Sequence, residues 1–599
     1  MKVFFIWMAS AALLVACWLF LPRDAFFSGD SGVKLIQAEN LISKRYSDVT
    51  LEYRGGDIDP RSEVSPFRLE PNLYVKDGRN YSVFPVLFPF LSSFFYAAAG
   101  WSGLYVLPML SALGILVLVY AIARRFMAFP YAVACMLAAV FATPLVFYAF
   151  TFWEHTPAVF LIMLSIFLFL RGGRTVAAGI AGGTAVWFRS ETIVLFASML
   201  LCGLIFMKRR RAVALYSAAA FAPLPALLVF NKWAYGEWFG HVTRNIRASA
   251  RGDFGIVIGE KASNLWRSLV GLNMPQRLPQ ESAGWGNSLA LVRSNTALEI
   301  ACFAAIILLA LCALGGRGQA ENAKRKTRGD RRTFCIRAAF VASCVLVVAA
   351  AAYVASFFSD RSPLITILSS GGVFSFSPFL AAAFLVPLVR FRDAEQRSVV
   401  YWLVGSSTLF IAAASMLAPN DGGIRYGARY LLPAMPVLAV ASFIVLGAVS
   451  RRPFGRAFAY AFILMVVCSL AIEARGYEIL RLKKTINRRF TRALLENPAD
   501  RVVMEAWWMI YNSAPVALSK KVHILRDTPS LAGIIARSRS AGDKYLALVL
   551  IKRDGVSPDD PLGRFLSAQR ARILDVKHLV SPRCTYFNFT ILTLELEGG

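Results

Sequence analysis

The sequence predicts an all-α polytopic membrane protein that carries a small α/β domain at its C-terminal end. Three observations predict it. The 599-residue chain is 57% hydrophobic with a mean hydropathy of +0.54, more apolar surface than a soluble protein has use for. Runs of about 17–25 apolar residues recur along it, each long enough to cross about 30 Å of hydrocarbon. The last stretch, 475–599, is much less apolar and alternates helix-like and strand-like segments such as "KYLALVLI" (544–551) and "TYFNFTILTLEL" (585–596). That is enough chain for a mixed domain of about 120 residues.

The first apolar run spans about 3–21. It contains Leu14-Val15-Ala16-Cys17, which fits a lipoprotein cleavage box, but the run continues through Trp18 to Leu21 and only Lys2 precedes it. It therefore reads as an uncleaved first crossing. Residues 22–83 are polar and form a substantial loop. "FPVLFPFLSSFFYAAAG" (84–100) is apolar but short and broken by prolines, so it reads as a short span or a helix lying at the interface. Further runs fall at about 102–123, 130–150, 157–170, 175–188, 191–207, 213–230, 298–315, 333–355, 371–389, 398–417, 431–449 and 457–474.

Parity orients these runs. If 84–100 does not cross, the clusters Arg124-Arg125, Arg171/Arg174, Lys208 to Arg211, Arg317 to Arg332, Arg390 to Arg397 and Arg451 to Arg456 share one side. Lysine and arginine mark the cytoplasmic side, and "RGQAENAKRKTRGDRR" (317–332), with seven basic and two acidic residues, is the strongest marker. The expected result is about thirteen helices within 1–474, N-terminus cytoplasmic and C-terminus outside, with outer segments 22–101, 231–297 and 475–599. The same clustering explains the net charge of +29 without a nucleic-acid partner.

Eight of the nine cysteines lie in or beside apolar runs and only Cys584 lies in a soluble-looking region, so no disulfide framework or zinc spacing is present. The four histidines make no HExxH. Neither a Walker sequence, a GxGxxG nor a GxSxG occurs. A nucleotide-activated donor on the cytoplasmic side therefore has little support, whereas an activated substrate already in the membrane suits the layout.

With this topology the polar residues gather at the outer face. Asp30, in "FFSGDSGVKLIQAENLI", follows the first crossing. Trp153-Glu154-His155 closes the third, and "WFRSE" (187–191) is a short outer turn carrying Arg189 and Glu191. "FNKWAYGEWFG" (230–240) holds Lys232, and "LSSGGVFSFSPF" and "NDGGIRYGARYLLPAMP" lead into later helices. Arg189 with Glu191 reads either as a salt bridge tying a turn or as a phosphate ligand, since guanidinium binds phosphate in bidentate fashion. Arg425 and Arg429 are four apart, as are Tyr426 and Tyr430, so in a helix each pair shares a face. Two guanidinium groups one turn apart suit a lipid-linked phosphate or, more plainly, lipid headgroups. Lys232 beside Trp233 is also an ordinary interface anchor.

These segments resemble a known family. "SGDSGVKLIQAENLI", "GRNYSVFPVLFPFLSSFFYAAAG", "GTAVWFRSETIVLF", "GGVFSFSPF" and "GGIRYGARYLLPAMP" are similar, in order, to segments of type C (GT-C) membrane glycosyltransferases. The resemblance is to the bacterial branch related to protein mannosyltransferases and the lipid A aminoarabinose transferase, and it covers roughly 1–450. It implies a GT-C-like fold in the bacterial inner membrane. It also implies transfer of a sugar, with inversion, from a polyprenyl-phosphate carrier to an envelope glycan, lipid or protein acceptor at the outer face. Asp30 would be the general base. Arg189, Arg425, Arg429 and Lys232 would meet the donor phosphate, with Glu154, His155, Glu191, Tyr426 and Tyr430 in support. Many relatives carry two adjacent acidic residues where this chain has Asp30-Ser31. One aspartate defines no metal site, so no metal ligand or cofactor is assigned and a divalent ion is left open. Two other readings are a flippase for a lipid-linked glycan, which calls for charges in mid-helix, and a non-catalytic membrane scaffold.

Overall fold

The computed structural model describes residues 2–68, 73–240, 372–389, 391, 393–417, 426–450, 455–551, 560–580 and 588–597. The expected crossings at 298–315 and 333–355, most of the 231–297 segment, and Arg425 lie outside these described residues. What is described is mostly helical, with a sheet near the C-terminus.

Among the described residues, six helical stretches, some of them built from two consecutive elements, are long and apolar enough to cross a membrane: Lys2–Leu19, Leu87–Ala123, Arg210–Tyr235, Ala394–Leu417, Arg429–Val449 and Gly455–Leu495. Shorter apolar helices lie between them at Phe129–Phe141, His155–Arg171, Thr175–Trp187 and Thr192–Phe206. The chain is a multi-pass membrane protein by this pattern.

Several elements differ from the sequence expectation, each for a local reason. The polar stretch 22–83 is not only loop. It holds helix α2, Gly29–Ser43, which follows α1 (Lys2–Leu19), and a hairpin of β1 (Leu73–Lys76) and β2 (Arg79–Ser82). The apolar run 84–100 forms α3, Leu87–Ala99, which packs on α2 and then turns sharply at Gly100, φ 55°. Three residues later Gly103 lies against α3 so closely that an added Cβ would stand 1.9 Å from the Phe95 carbonyl oxygen. The turn thus separates α3 from α4, Val106–Ala123. The expected helix at 371–389 is a short turn, Val373–Phe376, followed by a 3-10 stretch, Pro378–Leu388, with Pro387 inside it. The boundary drawn at 474 falls inside a single helix, Gly455–Leu495, whose 41 residues carry the chain from the apolar zone into the C-terminal domain.

That domain contains a five-stranded sheet. Its strands are β3 (Arg501–Met504), β4 (Lys521–Ile524), β5 (Tyr545–Ile551), β6 (Ala571–Leu579) and β7 (Phe589–Leu596), in spatial order β4-β3-β5-β7-β6. The first three strands in that order, β4, β3 and β5, are parallel, and β7 runs antiparallel to both β5 and β6. The continuous run "LALVL" on β5 is buried throughout, as a central strand covered on both faces requires. Helix-containing connections separate the parallel strands, since parallel neighbours cannot be joined by a tight turn.

The first loop is docked onto this domain by a polar lock. Arg501, with a fully buried side chain, donates to both carboxylate oxygens of Asp57 at 3.1 and 2.8 Å and to Asp543 at 2.7 Å. It also meets His523 Nε2 at 2.9 Å. Arginine only donates, so Nε2 accepts and Nδ1 carries the ring proton. Nδ1 then donates to Tyr53 Oη at 2.8 Å, which leaves the phenol to donate to Asp59 at 3.0 Å. The lock joins residues more than 400 positions apart in the sequence. Backbone contacts extend it: Ile524 N–H donates to the Val64 carbonyl and Tyr511 Oη to that of Pro66, both at 2.9 Å.

Burial, reinforced by Arg501, pushes the His523 imidazole from its ordinary 6.5 down to about 3. The unfolded chain therefore takes up this proton first, and stability present above pH 6.5 is lost as pH falls toward 3. The expected slope is at most about 1.4 kcal/mol per pH unit. Denaturant midpoints of the full-length protein between pH 7 and 4 should fall on acidification, and His523→Gln should flatten the profile. A wild-type profile as flat as that of the variant contradicts the lock.

Candidate active site

Helix α2 sets the geometry. Ser28 enters it in extended conformation, and Asp30 lies in the first turn, where the helix dipole favours a carboxylate. Lys34 is one turn further, so both side chains leave the same face. The helix is buried on nearly every side, between α3 and two short helices of the C-terminal domain, Trp507–Asn512 and Ala514–Ser519. Gly32 is what allows this approach, for an added Cβ would lie 1.7 Å from the Tyr511 carbonyl oxygen.

From this face two ion pairs reach across to later segments. Asp30 accepts from Arg429 Nη1 at 2.9 Å. Lys34 Nζ lies 2.6 Å from Glu154, and both side chains are 1% exposed. Glu154 immediately precedes the helix His155–Arg171 and also accepts from Arg189 Nη1 at 2.9 Å. Arg189 Nε in turn donates to Glu191 at 2.6 Å. Burial by itself would raise the Glu154 carboxyl, but Lys34 and Arg189 outweigh it and hold the group at about 2. Three cations, Lys34, Arg189 and Arg429, thus meet three carboxylates, Asp30, Glu154 and Glu191.

Aromatic rings fill the space between these charges. Lys34 lies over Phe84 at 4.3 Å and over Trp153 at 5.7 Å. Tyr430 stands between Arg189 and Arg429, 5.4 and 5.3 Å from their guanidinium carbons, and Arg429 also lies 5.6 Å from Trp153. Among the described residues, Arg429 Nε, Trp153 Nε1 and both ring nitrogens of His155 are buried without a hydrogen-bond partner. The arrangement therefore combines a carboxylate, fixed cations and unspent buried donors, a setting that can orient an anionic substrate beside a base.

The expected site residues fare unequally in position. Asp30, Arg429, Glu154, Arg189, Glu191 and Tyr430 come together. His155 is buried beside them, stacked on Tyr148 at 4.7 Å between ring centroids. Tyr426 and Tyr430 do not share a helix face, because Gly427 takes φ 63° and the chain is helical only from Arg429, as a 3-10 turn. Tyr426 instead packs on Phe147 at 4.3 Å and donates to the Ile472 carbonyl at 2.9 Å. Lys232 is exposed and donates to the Gly236 carbonyl at 3.1 Å, closing its own helix end rather than joining the cluster. Lys34 was not singled out from sequence. Its spacing of four from Asp30, in a stretch otherwise free of charge until Glu39, is the one sequence feature that sets it apart, and only if the stretch is helical.

No family model and no curated protein matches the sequence. By structure the chain is similar to ArnT from Cupriavidus metallidurans in two crystal structures, one apo and one bound to undecaprenyl phosphate. Identity is 12% and 13%, the TM-score is 0.41 for each, and 99% of this chain and 98% of that chain are covered.

The linked pairs predict an asymmetry. Glu154→Gln strands the buried Lys34 cation and leaves Arg189 with Glu191 alone, and should cost about 3–5 kcal/mol of stability. Lys34→Met should cost clearly less, because Arg189 still neutralises Glu154. Unfolding of both variants in mixed micelles checks this, and equal losses would contradict the network.

Proposed function

We propose that the chain is a GT-C-type glycosyltransferase of the bacterial inner membrane that moves a sugar from a polyprenyl-phosphate carrier to a hydroxyl of an envelope glycan, lipid or protein. In this reading about thirteen helices cross the membrane, the N-terminus is cytoplasmic, and the C-terminal domain and the Asp30 cluster lie outside. The observation that carries the reading is the gathering of Asp30 and Lys34 with Arg429 and Arg189, contributed by three separate segments whose sequences resemble that family's ordered motifs.

The chemistry follows from the groups present. The Asp30 carboxylate takes the proton of the acceptor hydroxyl as that oxygen attacks the sugar C1. The bond from C1 to the carrier phosphate oxygen breaks with its electron pair on the phosphate, and attack from the opposite face inverts the anomeric centre. Arg429 suits the link between the two ends, since Nη1 holds Asp30 while the buried Nε has no hydrogen-bond partner among the described residues. It can keep the base oriented while it meets charge developing on the leaving phosphate. Arg189 is already shared between Glu154 and Glu191, so its principal role is to position the cluster. Tyr430 and Trp153 keep the guanidinium groups in register.

A flippase calls for ionisable groups along a path through the membrane. The paired charges here gather instead where apolar helices end. Purified protein with labelled polyprenyl-phosphate sugars and envelope acceptors should transfer label, and Asp30→Asn should lower transfer by about a hundredfold or more, the scale of general-base catalysis. Transfer undiminished in the variant would remove Asp30 from the mechanism. No transfer with any donor, together with lipid movement across liposomes, would favour the flippase.

A further inference from the structure

A second polar site lies apart from the Asp30 cluster and shares no residue with it. Where α1 ends, the chain turns outward through Pro22 and Arg23, and a cavity of about 460 Å³ opens against Trp101 and the long helix Gly455–Leu495. That volume falls in the range of small-ligand sites. Its lining includes Arg23, Arg481 and Arg488, with Asp24 as the only acid, so the lining residues carry three positive charges against one negative.

The long helix shows what level of the membrane this is. Tyr460, Ile463, Val467 and Leu470 are 42–71% exposed and form one apolar, lipid-facing stripe. Steps of seven from Tyr460 and Val467 reach Arg481 and Arg488, so the same face changes from hydrocarbon-facing to guanidinium. Helix α1 makes the same change beside it, from Leu19 and Phe20, 53% and 75% exposed, to Arg23. Trp101 at this junction is a typical interface residue. Arg23 lies over Trp18 at 4.9 Å and Arg488 donates to Asp24 at 2.9 Å, which fixes both heads. Arg481 is exposed and has no ion-pair partner among the described residues.

We propose that this cavity binds the phosphate headgroup of an anionic membrane lipid, with the lipid chains running down the apolar stripe. Guanidinium groups bind phosphate oxygens in bidentate fashion, and the exposed apolar rim accepts the chains. A zwitterionic headgroup brings its own ammonium into a positively charged cavity and is disfavoured there.

The test uses full-length protein in mild detergent, titrated with dioleoyl phosphatidylglycerol or dioleoyl phosphatidylcholine and read by native mass spectrometry. Wild type should retain phosphatidylglycerol in preference to phosphatidylcholine. The double substitution Arg23→Gln/Arg481→Gln should weaken that retention about tenfold or more, as loss of charge-assisted hydrogen bonds requires. Arg481→Lys should keep part of it, and Arg572→Gln, on the exposed edge of β6, should keep all of it. Equal retention of the two lipids, or no loss in the double variant at an unchanged unfolding temperature, would overturn the proposal. Protection against unfolding by inorganic phosphate as strong as that by phosphatidylglycerol would assign the site to a soluble anion and overturn it as well.

Discussion

Lys34 and Glu154 lie 2.6 Å apart with almost no exposure, and the arrangement of the candidate site depends on that contact. Two charges taken out of water are stable only when each finds a partner at close range. Glu154 is therefore bound to lie beside α2, and through Glu154 so is Arg189. Asp30, one turn before Lys34, is thereby aimed at Arg429 on a segment 399 residues later. A helix in the first loop, a turn between two later helices and the beginning of another helix are drawn to one place.

The C-terminal domain holds α2 from behind. Gly32 lets the Tyr511 backbone approach, while Arg501 and Asp57 bind the loop beyond α2 to the sheet. Because α2 is clamped on both sides, the fully buried Lys34 has no route to solvent and keeps Glu154 as its partner. The continuous helix Gly455–Leu495 supports the same geometry, joining the membrane part to the domain without an intervening flexible linker. The domain thus contributes to the placement of the candidate base without supplying a residue to the ion pairs around it.

Much of the architecture was legible in the sequence because hydrocarbon imposes a strong and simple pattern. The apolar runs at 102–123, 398–417 and 431–449 correspond closely to observed helices, and the two strand-like segments near the C-terminus are β5 and β7. What was not legible depended on tertiary partners. Helix α2 lacks an apolar stripe because it is buried all round, so its sequence reads as loop. Lys34 passed unnoticed because a lone lysine in a loop is unremarkable until Glu154 is seen against it. The pairing of Tyr426 with Tyr430 presumed a helix that Gly427 interrupts, whereas Asp30, Arg189 and Arg429 were chosen by position and do converge.

The central claim is that Asp30 acts as a base and is not merely the structural counter-ion of Arg429. Exchange of the two residues, Asp30→Arg with Arg429→Asp, separates these roles, since the swap preserves one ion pair but moves the carboxylate to the other segment. Folding yield and sugar transfer from a polyprenyl-phosphate donor would be measured side by side for the swap and the two single substitutions. The account predicts that the swap recovers folding lost in the single variants while transfer stays at background. Recovery of transfer together with folding would contradict it.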